Sequence, residues 1–256
     1  MRERVTGAAW WLGACGLALW ACAAGAATPA CSVRSGDRTV PLVELYTSEG
    51  CSSCPPADRW LSGRIADDGD GANWLSFHVD YWDALGWPDR FASSRHTQRQ
   101  RMRVDAAGGS VVYTPQVMIG PQVQVTWRAS PMVRRALEAA AGPARAGLAL
   151  ALARAPAGDV LRLGAAPVPG APAAELWLAR TVDGLTTEVR AGENGGITLR
   201  HDRVVVDLWG PWRLDGAPVA RRLALPAGVE GDFTAFAQTV DGRVLQSLRL
   251  PGPACR

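Results

Sequence analysis

The sequence predicts an α/β domain over residues 40–142 followed by an all-β, sandwich-like domain over residues 143–256. Three observations predict it. A Cys-x-x-Cys, Cys51-Ser52-Ser53-Cys54, stands between an apolar run and a proline-led segment. Strand-like and helix-like stretches alternate as far as Ala141. Beyond Gly147 only short alternating runs remain, punctuated by Gly, Pro and Asp-Gly, the pattern of hairpins in a sandwich or small barrel.

In chain order, the first element is a targeting signal over residues 1–26. Arg2 and Arg4 precede an apolar stretch, and Ala24-Gly25-Ala26 is a small-x-small cleavage site. Retention as an anchor, or lipidation at Cys15 after Leu12-Gly13-Ala14, are the alternatives. No later segment is apolar enough to span a bilayer. The expected location is periplasmic or secreted.

Residues 40–46 (V-P-L-V-E-L-Y) read as a buried strand, 47–50 as a turn, and Pro55 opens a helix, since proline is welcome in a first turn. Residues 74–79 are a second strand and 80–87 an aromatic loop. Residues 91–107 read as a polar, Arg-rich helix whose His96, Gln98 and Arg99 face solvent. Residues 116–119 and 123–127 suggest a hairpin about Gly120-Pro121. A helix follows to Ala141, with Ser130 as N-cap and Pro131 at its first position.

In the second half, strands are expected over 148–153, 175–181, 197–207, 219–225, 233–238 and 244–250. Asp183-Gly184 and Asp241-Gly242 read as hairpin turns. The Ala/Pro/Gly-rich stretch 155–173 reads as an exposed loop or an edge, and the domain boundary falls near Gly142-Pro143.

Composition removes several function classes. All 27 basic residues are Arg, so a lysine nucleophile is excluded. A net charge of +3, with no basic run interleaved with aromatics, argues against a nucleic-acid partner. Of six cysteines, Cys15 and Cys22 leave with a cleaved signal. Cys31, Cys51, Cys54 and Cys255 remain, an even set in an oxidising compartment. Pairing the close two as a redox disulfide, Cys51-Cys54, leaves Cys31-Cys255 as a structural bridge between the chain's ends.

A Cys-x-x-Cys after a strand and opening a helix is a redox signature. Helix N-terminal N–H groups stabilise the first thiolate, and the second, deeper thiol resolves a mixed disulfide. The motif together with Thr114-Pro115 resembles the thioredoxin superfamily. More closely, V-E-L-Y-T-S-E-G-C-S-S-C-P-P-A-D, F-H-V-D-Y-W-D-A-L-G-W, F-A-S-S-R-H-T-Q-R-Q, Y-T-P-Q-V and G-E-N-G-G resemble a family of secreted bacterial thioredoxin-like proteins of unknown function. The resemblance implies a thioredoxin-like α/β domain and thiol–disulfide exchange on exported proteins, with an unknown redox partner and no cofactor.

By that resemblance Cys51 and Cys54 are catalytic, Pro115 is the cis-proline facing them, and Glu44 is the buried acid accepting the proton of Cys54. Thr114, His78, Asp80, Tyr81 and Trp82 are candidate substrate contacts at a strand end; aromatic packing around a hydrogen-bonded His is the alternative. Residues 192–196 read as a turn, or as a domain-interface loop. Two other functions compete: a Cu(I) carrier using Cys51, Cys54 and His78, and a silent binding module. One C-x-x-C and three histidines give no structural zinc site of paired C-x-x-C motifs.

Overall fold

The computed structural model describes residues 31–68 and 71–255. The expected signal segment 1–26, with Cys15 and Cys22, lies outside the described residues. Strands β1 (Cys31–Arg34), β2 (Arg38–Thr39) and β3 (Leu42–Thr47) lead to helix α1 (Pro55–Asp68). Strand β4 (Asn73–His78), α2 (Ser94–Ala106), β5 (Gln116–Ile119), α3 (Ser130–Ala140) and β6 (Gly142–Pro143) follow. The remainder is β: β7 (Ala146–Ala153), β8 (Asp159–Pro167), β9 (Ala174–Val182), β10 (Leu185–Glu188), β11 (Thr198–His201) and β12 (Val204–Leu214). It closes with β13 (Val219–Leu225), β14 (Asp232–Gln238) and β15 (Val244–Leu250).

One seven-stranded sheet, in the order β15-β14-β9-β12-β4-β3-β5, runs through both halves of the chain. Strand β4 pairs in parallel with β3 on one side and β12 on the other; β5, β9, β14 and β15 join antiparallel. The expected boundary at residue 142 therefore does not separate two sheets. The reason lies in burial: β3, β4 and β14 are buried at every residue, so they are covered on both faces and flanked on both edges.

Alternation divides the coverings. One face presents Tyr46, Leu75, Phe77, Trp177 and Phe236, which pack with Val104 of α2. The other face presents Val43, Leu45, Trp74 and Val117 to α1 and α3. Further along, that same face presents Leu176, Leu178, Phe233 and Leu245 to a four-stranded sheet, β1-β7-β8-β13. A face-to-face pair of sheets exists, but half of it is the extension of the α/β sheet.

Several elements depart from expectation. Residues 159–167, read as loop or edge, form an inner strand between β7 and β13, with Asp159, Leu161, Leu163 and Ala165 alternately buried. Its Ala and Gly residues hide a period-2 pattern carried by only two leucines. Residues 197–207 are broken at Arg203, whose φ is +55°, into β11 and β12. Asp183-Gly184 does not make a hairpin with β9, because β10 pairs with β11 instead. After β5 only an isolated bridge, Ile119 to Gln122, and the bond from Val125 N–H to the Val117 carbonyl remain of the expected hairpin. Ala129, without a side-chain acceptor, caps α3, and Ser130 lies inside it.

Helix α2 is the largest correction. His96, Thr97, Arg99, Gln100 and Arg103 are buried; of the three expected to face solvent, only Gln98 does. The guanidinium of Arg99 sits among the rings of Phe77, Trp177 and Phe236, at 5.7, 5.0 and 4.9 Å from their centroids. Polar side chains here do not mark a wet face, because each finds a partner inside.

Candidate functional site

Strand β3 ends at Thr47, and the turn after it carries the dithiol to the head of α1. Cys51 and Cys54 are joined in a disulfide, with Cα atoms 5.4 Å apart. The turn is tied locally: Cys51 N–H donates to the Ser48 carbonyl at 3.2 Å, and Cys54 N–H to the Cys51 carbonyl at 3.1 Å. Cys31 and Cys255 form a second disulfide, fixing β1 to the turn after β15.

Cys51 and Cys54 are both 0% exposed, whereas Ser52 and Ser53 between them are exposed. The Ser53 hydroxyl is 3.4 Å from Cys51 Sγ. Fewer helix N–H groups reach Cys51 than the motif suggests. Pro55 and Pro56 have none, Ala57 and Asp58 donate to the Cys54 carbonyl, and Ser52 donates to Glu193.

The Thr114–Pro115 peptide is cis. With Ser53, Tyr113, Gln124, Val125, Thr126, Trp127 and Arg128 it lines a groove of about 390 Å³ beside the dithiol turn. The indole of Trp82 donates to the Thr114 hydroxyl at 2.7 Å, so Trp82 holds the groove wall. Tyr81 is half-buried. Asp80 accepts from the Thr97 hydroxyl at 2.5 Å and so anchors α2. His78 is fully buried, its Nδ1 2.6 Å from Asp89. It does not line this groove and, with no exposed surface, cannot touch a substrate there.

Glu44 does not have the place or the charge state the resemblance implies. It is buried, but strand alternation puts it with Leu42 and Tyr46, facing α2, while Val43 and Leu45 face α1. Tyr46 donates to it at 2.8 Å, Arg99 at 2.8 and 3.0 Å, and Arg103 also. Burial favours the neutral acid, yet the charges of Arg99 and Arg103 outweigh it and hold the carboxyl at about 2. A carboxylate pinned this way does not accept a thiol proton.

Other acids, absent from the expected site, lie on the dithiol's side. Glu49 precedes Cys51 by two residues and is 0% exposed; Asp58, one turn into α1, is buried. His201, at the end of β11, lies between them, with Nε2 3.5 Å from Glu49 and Nδ1 3.6 Å from Asp58. Its ring meets that of His78 edge-on at 4.8 Å. Burial opposes charge on His201, but Asp58 and Glu49 prevail and raise it to about 9. Glu49 is itself lowered: against burial, the neighbouring His201 and Thr187 favour its charged form, as does the Trp87 indole, which donates to it at 2.8 Å.

The loop joining β10 to β11 completes the site. Asn194 is buried and donates to the carbonyls of Glu49 and Cys51, at 2.8 and 3.0 Å. Glu193 accepts from Ser52 N–H at 2.9 Å. Gly192 has φ of +71°, and a Cβ there would stand 3.1 Å from that of Trp87. The G-E-N-G-G stretch, read from sequence as a turn or an interface loop, thus clasps the dithiol turn. Glu49, Asp58, Asp89, Glu193, Asn194 and His201 were missed as site residues. Sequence signals existed only through the motifs: Glu49 and Asp58 lie in the stretch 43–58, and Glu193 and Asn194 in the Gly-rich stretch 192–196.

Fold and site together define a mixed α/β and double-sheet protein with a Cys-x-x-Cys disulfide at a helix head. Residues 42–240 match the family described as "Protein of unknown function (DUF1223)", and the chain belongs to that family. It is similar to a structural-genomics crystal structure of a protein from Agrobacterium tumefaciens, at 27% identity and a TM-score of 0.62, covering 84% of this chain and 95% of that one. It also shares its fold with HBP35 of Porphyromonas gingivalis, at 15% identity and a TM-score of 0.60, covering 84% of this chain and 76% of that one. No curated protein matches the chain.

Proposed function

We propose that this protein is an exported thiol–disulfide exchange protein, built on a thioredoxin-like α/β unit and acting through Cys51 and Cys54. The observation that carries the reading is the closed Cys51–Cys54 disulfide at the head of α1, beside the groove lined by Ser53, Tyr113 and Pro115. Such a groove suits an extended chain bearing a thiol or disulfide. Ser53 lines it and its hydroxyl touches Cys51 Sγ, so Cys51 is the sulfur that faces a partner. Cys54, whose carbonyl starts the hydrogen bonding of α1, is the resolving sulfur. Disulfides at both cysteine pairs suit an oxidising compartment outside the cytoplasm.

In one direction, a substrate thiolate attacks Cys51, and the Cys51–Cys54 bond opens with Cys54 leaving as thiolate. A second substrate thiol then attacks the mixed disulfide and releases Cys51. The substrate dithiol is oxidised by two electrons and the protein dithiol gains them. The test is covalent trapping with a model peptide disulfide, read by intact mass. Cys54→Ser should accumulate the mixed disulfide on Cys51, and Cys51→Ser should accumulate almost none. Equal trapping by both variants would reverse or remove these roles. Failure of the wild type to exchange with any dithiol would end the reading.

A further inference from the structure

Opening the disulfide leaves a negative charge on Cys54, a residue with no exposed surface. Burying an uncompensated charge is costly, so a proton must reach that sulfur from inside. Glu44, the acid expected there, faces the other side of the sheet and is held by two arginines. The structure offers a different set. Asp58 N–H donates to the Cys54 carbonyl at 3.1 Å, an i to i−4 bond that places Asp58 one turn beyond Cys54 on the same helix face. Asp58 Oδ1 is buried without a hydrogen-bond partner, as are both ring nitrogens of His201 and Oε1 of Glu49. At 3.5 and 3.6 Å the contacts of His201 are ion pairs rather than formed hydrogen bonds. Buried polar atoms left unpaired in this way are uncommon and point to a role.

We propose, on the exchange reading above, that Asp58, His201 and Glu49 form the internal proton station of the dithiol. When the Cys51–Cys54 bond breaks, the His201 imidazolium gives its proton, through Asp58, to the Cys54 thiolate. The neutral ring then recovers a proton from solvent. In the reverse direction Cys54 loses its proton along the same path and its thiolate attacks the mixed disulfide. Asp58 is the member of the set on the helix of Cys54, one turn further on; His201 and Glu49 act through it and are positioning residues.

The groups facing His201 are Glu49 from the dithiol turn, Asp58 from α1 and His78 from β4. Asp89 stands behind, binding His78 and the Glu49 N–H. The ring of Phe91 closes the remaining side at 6.0 Å. Two carboxyl groups flank the one imidazole and favour its charged form. The raised His201, at about 9, stands close to an ordinary thiol, the match that proton transfer requires.

The test begins with the wild type, oxidised and then reduced with a phosphine. The His201 ring is titrated by NMR in both states. Coupling to Cys54 predicts a midpoint higher by roughly one unit in the reduced protein, where the thiolate forms beside it. An identical titration in both states overturns the proposal, and needs no variant to fold. Next, exchange with a model dithiol is followed from pH 6 to 10 in wild type, His201→Gln and Asp58→Asn. Both variants should exchange at least about tenfold more slowly near neutrality, and His201→Gln should lose the alkaline limb that follows the His201 titration. A folded His201→Gln with wild-type rate and profile also overturns it. Absence of exchange in the wild type overturns the functional reading and this one with it. Exchange with a redox-insensitive His201 overturns this one alone.

Discussion

At the scale of single residues, Glu44 shows how a position of known type can change its work. Its carboxylate completes a closed set with Tyr46, Arg99 and Arg103 beneath α2. Removing its charge leaves two buried guanidiniums without the carboxylate that both of them bond. Glu44→Gln should therefore destabilise the fold by about 3–5 kcal/mol. The pH dependence carries the same information. The folded value of about 2 lies below the ordinary 4.5, so ionised Glu44 adds stability above pH 4.5. That stability, on the order of 3 kcal/mol, is lost as pH falls through the interval from 4.5 to 2. Urea unfolding across pH 2–6 should show this acid loss in the wild type and a flatter limb in Glu44→Gln. Equal slopes would mean that Glu44 is not ionised in the fold. The acid itself was visible in the sequence within an apolar run. Its partners were not, because Arg99 reads as solvent-facing, and Arg103 as one more arginine of a polar helix, until their aromatic and acidic neighbours arrive from distant strands.

At the scale of elements, the β10–β11 connection acts on the dithiol from about 140 residues away in sequence. Asn194 holds two buried carbonyls, of Glu49 and Cys51, and Gly192 lets the loop approach Trp87. Asn194→Ala leaves both carbonyls without that donor, at a cost of about 1–3 kcal/mol. It also frees the turn that buries Cys51. Reduction of the Cys51–Cys54 disulfide by dithiothreitol should become several-fold faster in Asn194→Ala, with Cys31–Cys255 unaffected. An unchanged rate would show that the loop does not limit access. This division explains what the sequence disclosed of the site. The motif residues Cys51, Cys54 and Pro115 are local, and the strand before them and the helix after them follow from apolar runs and two prolines. Glu49 and Asp58 stand at the helix head already, but His201 is ordinary in sequence, and only the folded β10–β11 hairpin brings it between them. Strand β8 escaped notice for a related reason: Ala and Gly fill an outer face without announcing one.

For the whole molecule, the decisive fact is that β4, an inner strand of the seven-stranded sheet, takes β3 from its own half of the chain and β12 from the other. A sequence read by local pattern divides this chain at residue 142, since periodicity and turn signals change there, and pairing between distant strands leaves no local trace. The physical division is elsewhere. Tyr46 and Phe77 of the first half share a core with Trp177 and Phe236 of the second, and Arg99 bonds Gln238 across the same gap. His201 and Asn194, which attend the dithiol, also come from the second half. A fragment of residues 31–141 would present β4 as a bare edge and lose the apolar cover of α2's face of the sheet. It should give no cooperative unfolding transition, poor dispersion of amide resonances and strong binding of an apolar dye. The full chain, by contrast, should unfold in a single transition whether followed by tryptophan fluorescence or by circular dichroism, because both halves share one sheet. A fragment that unfolds cooperatively, or a full chain with two separated transitions, would restore the two-domain division at residue 142.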